Sequence, residues 1–148
     1  MSGVAIVLKQ GPKTYTPADN SVIKGGDVVA AAAGGRIAVA GAGALNVVGI
    51  AVVDGIAPED VTSAASGDPL TAALVPANTK VAVAYGGMEV DGVTYAADAA
   101  EGVALIAAAN GDVTPAGATP DARTIVGWCA EPGGVTVATK ATGRVRTR

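Results

Sequence analysis

The sequence predicts a small all-β domain, a β-sandwich or β-barrel of about ten short strands, and three observations carry that prediction. The apolar residues fall in short runs, among them Val28 to Ala33, Val47 to Val53 and Lys80 to Tyr85, with Gly or Pro turns between them. Glycine supplies 21 of the 148 residues, which favours turns and close backbone approach and disfavours long helices. The chain also repeats itself. Residues 27–54 and 101–134 follow one plan: two apolar runs, a Gly/Ala loop, then a third apolar run. Gly35-Arg36-Ile37 aligns with Gly111-Asp112-Val113, and Ala40-Gly41-Ala42 with Ala116-Gly117-Ala118, both 76 residues on. Val47 to Ala51 aligns with Ile125 to Cys129 at 78, so the second loop is two residues longer. The domain is therefore expected to rest on two related three-strand modules.

A chain of 148 residues is one domain by size and can bury a core. Half of it is apolar, but there is no Phe and one Trp, so that core is built mainly from Ala and Val. Side chains this thin bury little area, at ~25 cal/mol per Å², and assembly with other subunits is an expected source of further stability. The net charge of −3 argues against a nucleic-acid partner, which would require a basic surface. The absence of His and the single Cys remove the commonest general base, the commonest metal ligand and any Cys-based zinc site. No cofactor is expected. The most apolar stretch, Val28 to Val53, is broken by Arg36, Asn46 and several glycines. Neither a membrane span there nor a signal peptide at the N-terminus is expected.

Residues 1–20 read as an N-terminal arm with one edge strand. Val4 to Leu8 is strand-like, and Gly11-Pro12 and Thr16-Pro17 then break regular structure, because proline cannot donate to a ladder. Residues 21–142 read as a single β domain. Ser21 to Gly26 is a short strand entering a turn. Val28 to Ala33 and Arg36 to Ala40 form a hairpin around Gly34-Gly35, a pair that accepts the positive φ of a tight turn. Val47 to Val53 is rich in β-branched residues and reads as a buried strand. Residues 54–78 are a turn-rich excursion loop. Pro58-Glu59-Asp60 suits a helix start, and Leu70 and Leu74 are expected anchors. Lys80 to Tyr85 alternates as a strand. Asp91-Gly92 is expected to turn a hairpin between Met88 to Val90 and Val93 to Tyr95. Val103 to Ala109 has the Ala and Leu content of a short helix, but its counterpart in the repeat argues for a strand. Asn110-Gly111 is the strongest hairpin dipeptide in the chain. Arg123 to Ala130 is a third run, and Val135 to Thr139 is expected to close the sheet. Residues 143–148, with Arg144, Arg146 and Arg148, read as a C-terminal tail.

No catalytic motif emerges. Ile37 to Asn46 imitates a dinucleotide fingerprint, but Asn46 stands at the third glycine and a β-branched run follows in place of the phosphate-binding helix. The acid pairs Glu59/Asp60 and Glu89/Asp91 lie in expected turns without an aromatic platform, and read as solvated. Asp91-Gly92 and Gly111-Asp112 lack the alternating acids of a calcium loop. With no histidine, no serine has the partner a conventional triad requires. Cys129 reads as a small buried hydrophobe. Trp128 takes the place of Ile50 in the repeat and reads as core filler, or as an interface anchor.

The segments TYTPADNSVIKGGDVV (14–29), NVVGIAVVDGIAPED (46–60), VAVAYGGMEV (81–90) and residues 93–134 resemble the capsid decoration, or cement, proteins of tailed bacteriophages. The likeness is nearest to those of phages of actinobacteria, whose Ala/Gly/Val-rich composition the chain shares. The resemblance is modular and compositional and covers most of the chain. It implies a β-rich structural protein without enzymatic activity, on the outer surface of the virion capsid and made in the bacterial host cytoplasm. Such a protein binds the expanded head, commonly as a homotrimer, and bridges neighbouring major capsid subunits. Its expected partners are the major capsid protein and itself, with no nucleic acid and no membrane. The family transfers no fixed site residues. The expected capsid or protomer contacts are Val4, Ile6, Leu8, Tyr15 and Pro17 in the arm, Leu70 and Leu74 in the excursion, and Arg144, Arg146 and Arg148 at the C-terminus. The alternative is a virion-surface binding module, either a head-fibre base or a host-glycan binder.

Overall fold

Twelve strands, one short helix and three 3-10 turns form among residues 11–64 and 78–148, the residues that the computed structural model describes. In chain order the strands are β1 (Lys13–Tyr15), β2 (Val22–Ile23), β3 (Val28–Ala32), β4 (Arg36–Val39), β5 (Val47–Ala51) and β6 (Gly55–Ile56). They continue as β7 (Val81–Ala84), β8 (Glu89–Thr94), β9 (Ala104–Ala107), β10 (Val113–Pro115), β11 (Ile125–Cys129) and β12 (Thr142–Thr147). The helix, α1 (Pro58–Ala64), starts on a proline with two acids in its first turn, as the sequence signal requires. The protein is all-β, as expected.

Ten strands make two antiparallel five-stranded sheets. Their orders are β1-β7-β5-β3-β4 and, read from the matching edge, β8-β12-β11-β9-β10. The two agree element for element, so the repeat spans five strands and not three. The fifth strands in chain order, β7 and β12, escape a residue-by-residue comparison because they share register rather than side chains. Val83 opposes Ala51 as Val145 opposes Cys129, while Ala84 opposes Ile50 as Arg146 opposes Trp128. A small β2–β6 ladder in the first half is matched by the single bridge Ala99–Val135 in the second.

Each sheet coils until its edges are bridged. The chain leaving β1 crosses to the far edge, where Pro17 pairs in parallel with Ile37 and the Ala18 N–H donates to the Ile37 carbonyl at 2.7 Å. Tyr95 and Val113 do the same in the second half, with the Ala96 N–H donating at 2.8 Å. Two devices permit such tight coiling. The hairpin turns hold positive φ at Gly34 and Gly35 (70° and 71°) and at Asn110 and Gly111 (59° and 79°). The register also shifts at the same place in both halves, between the partners of Val29 and Ala30 on β5 and of Leu105 and Ile106 on β11. The extra residue makes a bulge that sharpens the bend. Gly49 and Gly127 follow these bulges, and a methyl group on either would collide with the carbonyl of Ala84 or Arg146 on the neighbouring strand.

The core is thin. One cluster lies within the first half and joins Ile23, Val29, Ile37, Ala51, Val81 and Val83. The other fills the second half, with Tyr95, Leu105, Val113, Cys129 and Val145, and takes in Val28, Ala30 and Ile50 from the outer face of the first sheet. The first half therefore rests one sheet face on the second half.

Three expectations are corrected. Asp91-Gly92 does not turn a hairpin. It bulges within one continuous strand, β8, against β12, with Gly92 at φ 84°. Val135 to Thr139 is no strand beyond its one bridge, because the N–H groups of Thr139 and Lys140 both fold back to the Thr136 carbonyl. Residues 143–148 are no tail, since β12 lies inside the second sheet. Gly143, Val145 and Thr147 point inward and the arginines outward, a two-residue period that its charge obscured. The hesitation over Val103 to Ala109 resolves as the strand β9.

Gly127→Ala should lower stability by ~2–3 kcal/mol, the cost of overpacking a closed site. Gly41→Ala, where nothing lies within 4 Å, should change it by less than ~0.5 kcal/mol. Urea denaturation of the two variants checks this, and equal effects would refute a special role for the bulge glycine.

Candidate partner-binding surface

Strand β12 presents two exposed arginines, Arg144 and Arg146, on one side of the second sheet, and exposed Arg148 directly follows the strand. The Arg146 guanidinium lies over the Trp128 ring, 5.6 Å from its centroid. Trp128 sits beside Ala104 on β9, and in the next row Ile125 pairs with Ile106, which pairs with Thr114. Ala104, Ile106, Ile125 and Trp128 are all half-buried, so they form an apolar field edged by guanidinium groups. The backbone beneath is firmly held. The Tyr95 hydroxyl, pushed far up in pKa by burial, donates to the Arg144 carbonyl at 2.7 Å. Arg148 donates to the Ala122 carbonyl at 2.7 Å.

The other expected contacts are dispersed. Tyr15 is half-buried on β1, with the Lys13 ammonium 5.0 Å from its ring centroid. Pro17 is buried by its own chain at the bridge to Ile37, which corrects its expected role as an arm contact. Val4, Ile6, Leu8, Leu70 and Leu74 lie outside the described residues. The start of the excursion is tied down. Arg36 on β4 donates to both Glu59 carboxylate oxygens on α1, at 2.6 and 2.9 Å, and this holds the Glu59 carboxyl at about 2. Glu89 and Asp91, expected in a turn, stand on β8.

Two clefts mark the seam between the halves. One, of about 460 Å³, is lined by Leu45, Val47, Val48, Tyr85, Ile125 and Arg148 among others, with Leu45 exposed at its mouth. The other, of about 510 Å³, carries Lys24, Asp27, Asn110 and Asp112. Burial raises the pKa of both carboxyls. At Asp27 the Lys24 N–H, donating at 2.8 Å, and the Lys24 charge pull the other way, while Asp112 and Asp54 add to the rise. Among the described residues no group of three His, Cys, Asp or Glu side chains stands ready for a metal, and Cys129 is a buried free thiol. The chemistry on offer is that of a binding face: apolar area, one aromatic ring and guanidinium groups. Sequence reasoning missed Ala104, Ile106 and Ile125. Their signal was the two-residue period of β9, which the bulge interrupts in β11 so that Ile125 and Trp128 stand three residues apart on one face.

No protein-family model matches the chain, and no curated protein matches it. Among solved structures the chain is similar to the head fiber gp8.5 N base of bacteriophage phi29. The two share 18% sequence identity and a TM-score of 0.58, over 92% of this chain and 93% of that one. At this identity the likeness is one of fold. It spans both halves of this chain.

Two pH effects follow from these geometries. The Glu59 pKa is depressed, so the stability that the Arg36 pair contributes is present above about 4.5 and is lost as pH falls through about 2. An NMR titration of Glu59 should show a midpoint of about 2 that rises in Arg36→Gln, held short of a full return by the backbone hydrogen bond that remains at Glu59. An unmoved midpoint would exclude Arg36 as the cause. The Asp112 pKa is raised, so its ionised form opposes folding at neutral pH and the opposition fades on acidification. Asp112→Asn should stabilise the protein at neutral pH by ~0.5 kcal/mol, a small figure because solvent screens the group. Thermal melts at neutral pH and near pH 4 should show that gain shrinking, and a gain independent of pH would contradict the assignment.

Proposed function

We propose that this protein is a structural component of the outside of a tailed-phage head. It decorates the expanded capsid and bridges neighbouring major capsid subunits, as a homotrimer. The observation that carries the reading is the likeness in fold to a head fiber base across nearly the full length of both chains. The resemblance of the sequence to capsid decoration proteins points the same way. An apolar field around one Trp and framed by arginines suits a protein partner, since Trp and Arg are enriched where interfaces hold their binding energy. The protein acts by holding partners together and not by chemistry.

A second reading has its own support. The protein of similar fold is described as the base of a head fiber, and this chain would then anchor a longer appendage on the head. The two readings differ in occupancy: a decoration protein fills a lattice site throughout the shell, whereas a fibre base occupies few sites. In either case the segment before β1 is proposed to reach the capsid through Val4, Ile6 and Leu8, with Tyr15 beside it. The excursion, through Leu70 and Leu74, packs between protomers.

Purified protein mixed with expanded heads and with unexpanded proheads, then sedimented and weighed, tests this. Saturable binding to expanded heads at a fixed lattice stoichiometry is the expected result, and sparse occupancy selects the fibre-base reading. Removal of residues 1–10 leaves all of β1 and should abolish head binding without unfolding the domain. Binding to neither particle would refute the head-protein reading, and full binding by the truncated chain would refute the role of the arm.

A further inference from the structure

We propose that this chain associates with further copies of itself head to tail, the outer face of its second sheet docking on the open end of the first half of the next copy. The inference rests on the self-association part of the reading above and names the surface responsible.

The argument starts from the joint inside the chain. There, the outer face of the first sheet sits on the turn end of the second half. The place a Gly26 Cβ would take lies 2.9 Å from the Gly92 carbonyl oxygen, and that of Gly111 lies 2.9 Å from a Val39 methyl and 3.0 Å from the Asp27 Cβ. The Gly43 N–H donates to the Ala107 carbonyl at 2.8 Å. Behind these contacts Val28 and Ile50 are fully buried, Ala30 is 8% exposed and Ala107 is 1% exposed.

The fivefold correspondence of strands gives each of these positions a counterpart, and the counterparts are open. Gly102 matches Gly26, Gly35 matches Gly111, and neither has anything within 4 Å of a Cβ. Ala31, the match of Ala107, is exposed. Ile106 and Trp128, the matches of Ala30 and Ile50, are half-buried. The chain thus owns two docking faces and two receiving ends, and the internal joint uses one of each. The unused face lies on the second half and the unused end on the first. The internal joint supplies the template for their fit, because the corresponding strands of the two halves meet in it.

A joint between different surfaces is heterologous, so it closes into a ring or runs on as a filament according to its rotation. Ring closure after three steps gives the homotrimer. The open face also differs in chemistry from its buried counterpart, with Trp128 for Ile50 and Arg146 for Ala84. A ring and a guanidinium at these places suit a joint formed between soluble subunits, which needs a polar rim and an aromatic anchor.

The test uses the full chain free in solution, with sedimentation velocity and light scattering over a range of concentrations. Ile106→Glu charges the docking face and Ala31→Glu the receiving end, and both side chains are at least partly exposed in one copy. The wild type should form a discrete oligomer or a growing series. Each variant should fall to monomer, with association weakened ~100-fold or more by a buried unpaired charge. An equal mixture of the two variants should give dimers and nothing larger, because one intact joint remains per pair. If Ile106→Glu fails to fold, Ala104→Arg provides the same reading. A wild type that stays monomeric, variants that keep the wild-type mass, or a mixture that stays monomeric would each overturn the proposal. Heads take no part in the experiment, so this result and the head-binding result fail separately.

Discussion

The architecture depends on one backbone crossing made twice. After its first strand each half sends the chain across to the far edge of its own sheet, at Pro17–Ile37 and at Tyr95–Val113. A five-stranded sheet bridged in this way encloses little volume, since the diameter of a closed sheet grows with strand number. Only small side chains fit within, and the inward positions are Val, Ala, Leu, Ile and Cys. The absence of Phe and the abundance of Ala and Val are thus consequences of the coiling. Among the described residues Tyr95 is the largest fully buried side chain, and it fits because its hydroxyl reaches the Arg144 carbonyl on the adjacent strand. The glycines that follow the β5 and β11 bulges answer the same constraint, since nothing larger passes the neighbouring carbonyl.

Duplication of this unit does not make the halves equivalent. Burial is asymmetric where the strands are not. Ile50 is fully buried because the second half lies over it, and Trp128 at the matching place is half-buried because no sheet among the described residues lies over it. The residue differences follow that asymmetry. Ala84 becomes Arg146 and Ala82, the next outward residue, becomes Arg144, so the uncovered sheet trades methyl groups for solvated guanidinium groups. Long charged side chains shield apolar area from water while remaining wet at their ends, which keeps such a face soluble before a partner arrives.

The proposed assembly would use the one apolar sheet face that the described residues leave uncovered. The seam between the halves supports that use. It places the Asp27 and Asp112 carboxyls close enough for their charges to interact, and both lose solvation there. The internal joint therefore carries a cost, and in the proposed assembly an added subunit on the free face would supplement a thin core. The Arg36–Glu59 pair has a local role, holding α1 against β4 at the point where the chain leaves the sheet for its excursion.

Much of the fold was legible from residues alone. Short β-branched runs between glycine turns made the class all-β, and the Gly34-Gly35 and Asn110-Gly111 pairs located two hairpins, because those turns demand positive φ wherever they occur. The 76-residue echo exposed the central three strands of each half, where the close backbone approach constrains residue type. The first and fifth strands of the repeat stayed hidden, since they are matched by hydrogen-bond register and not by side chains, and register is a property of the pair. Arg144, Arg146 and Arg148 appeared as a charged tail because sequence shows charge before it shows which alternate residues a neighbouring strand will bury. The field of Ala104, Ile106, Ile125 and Trp128 was decided by tertiary structure alone. Whether an apolar strand face is core or surface depends on what lies over it, and only the folded chain shows that, among the described residues, the first sheet is covered and the second is not.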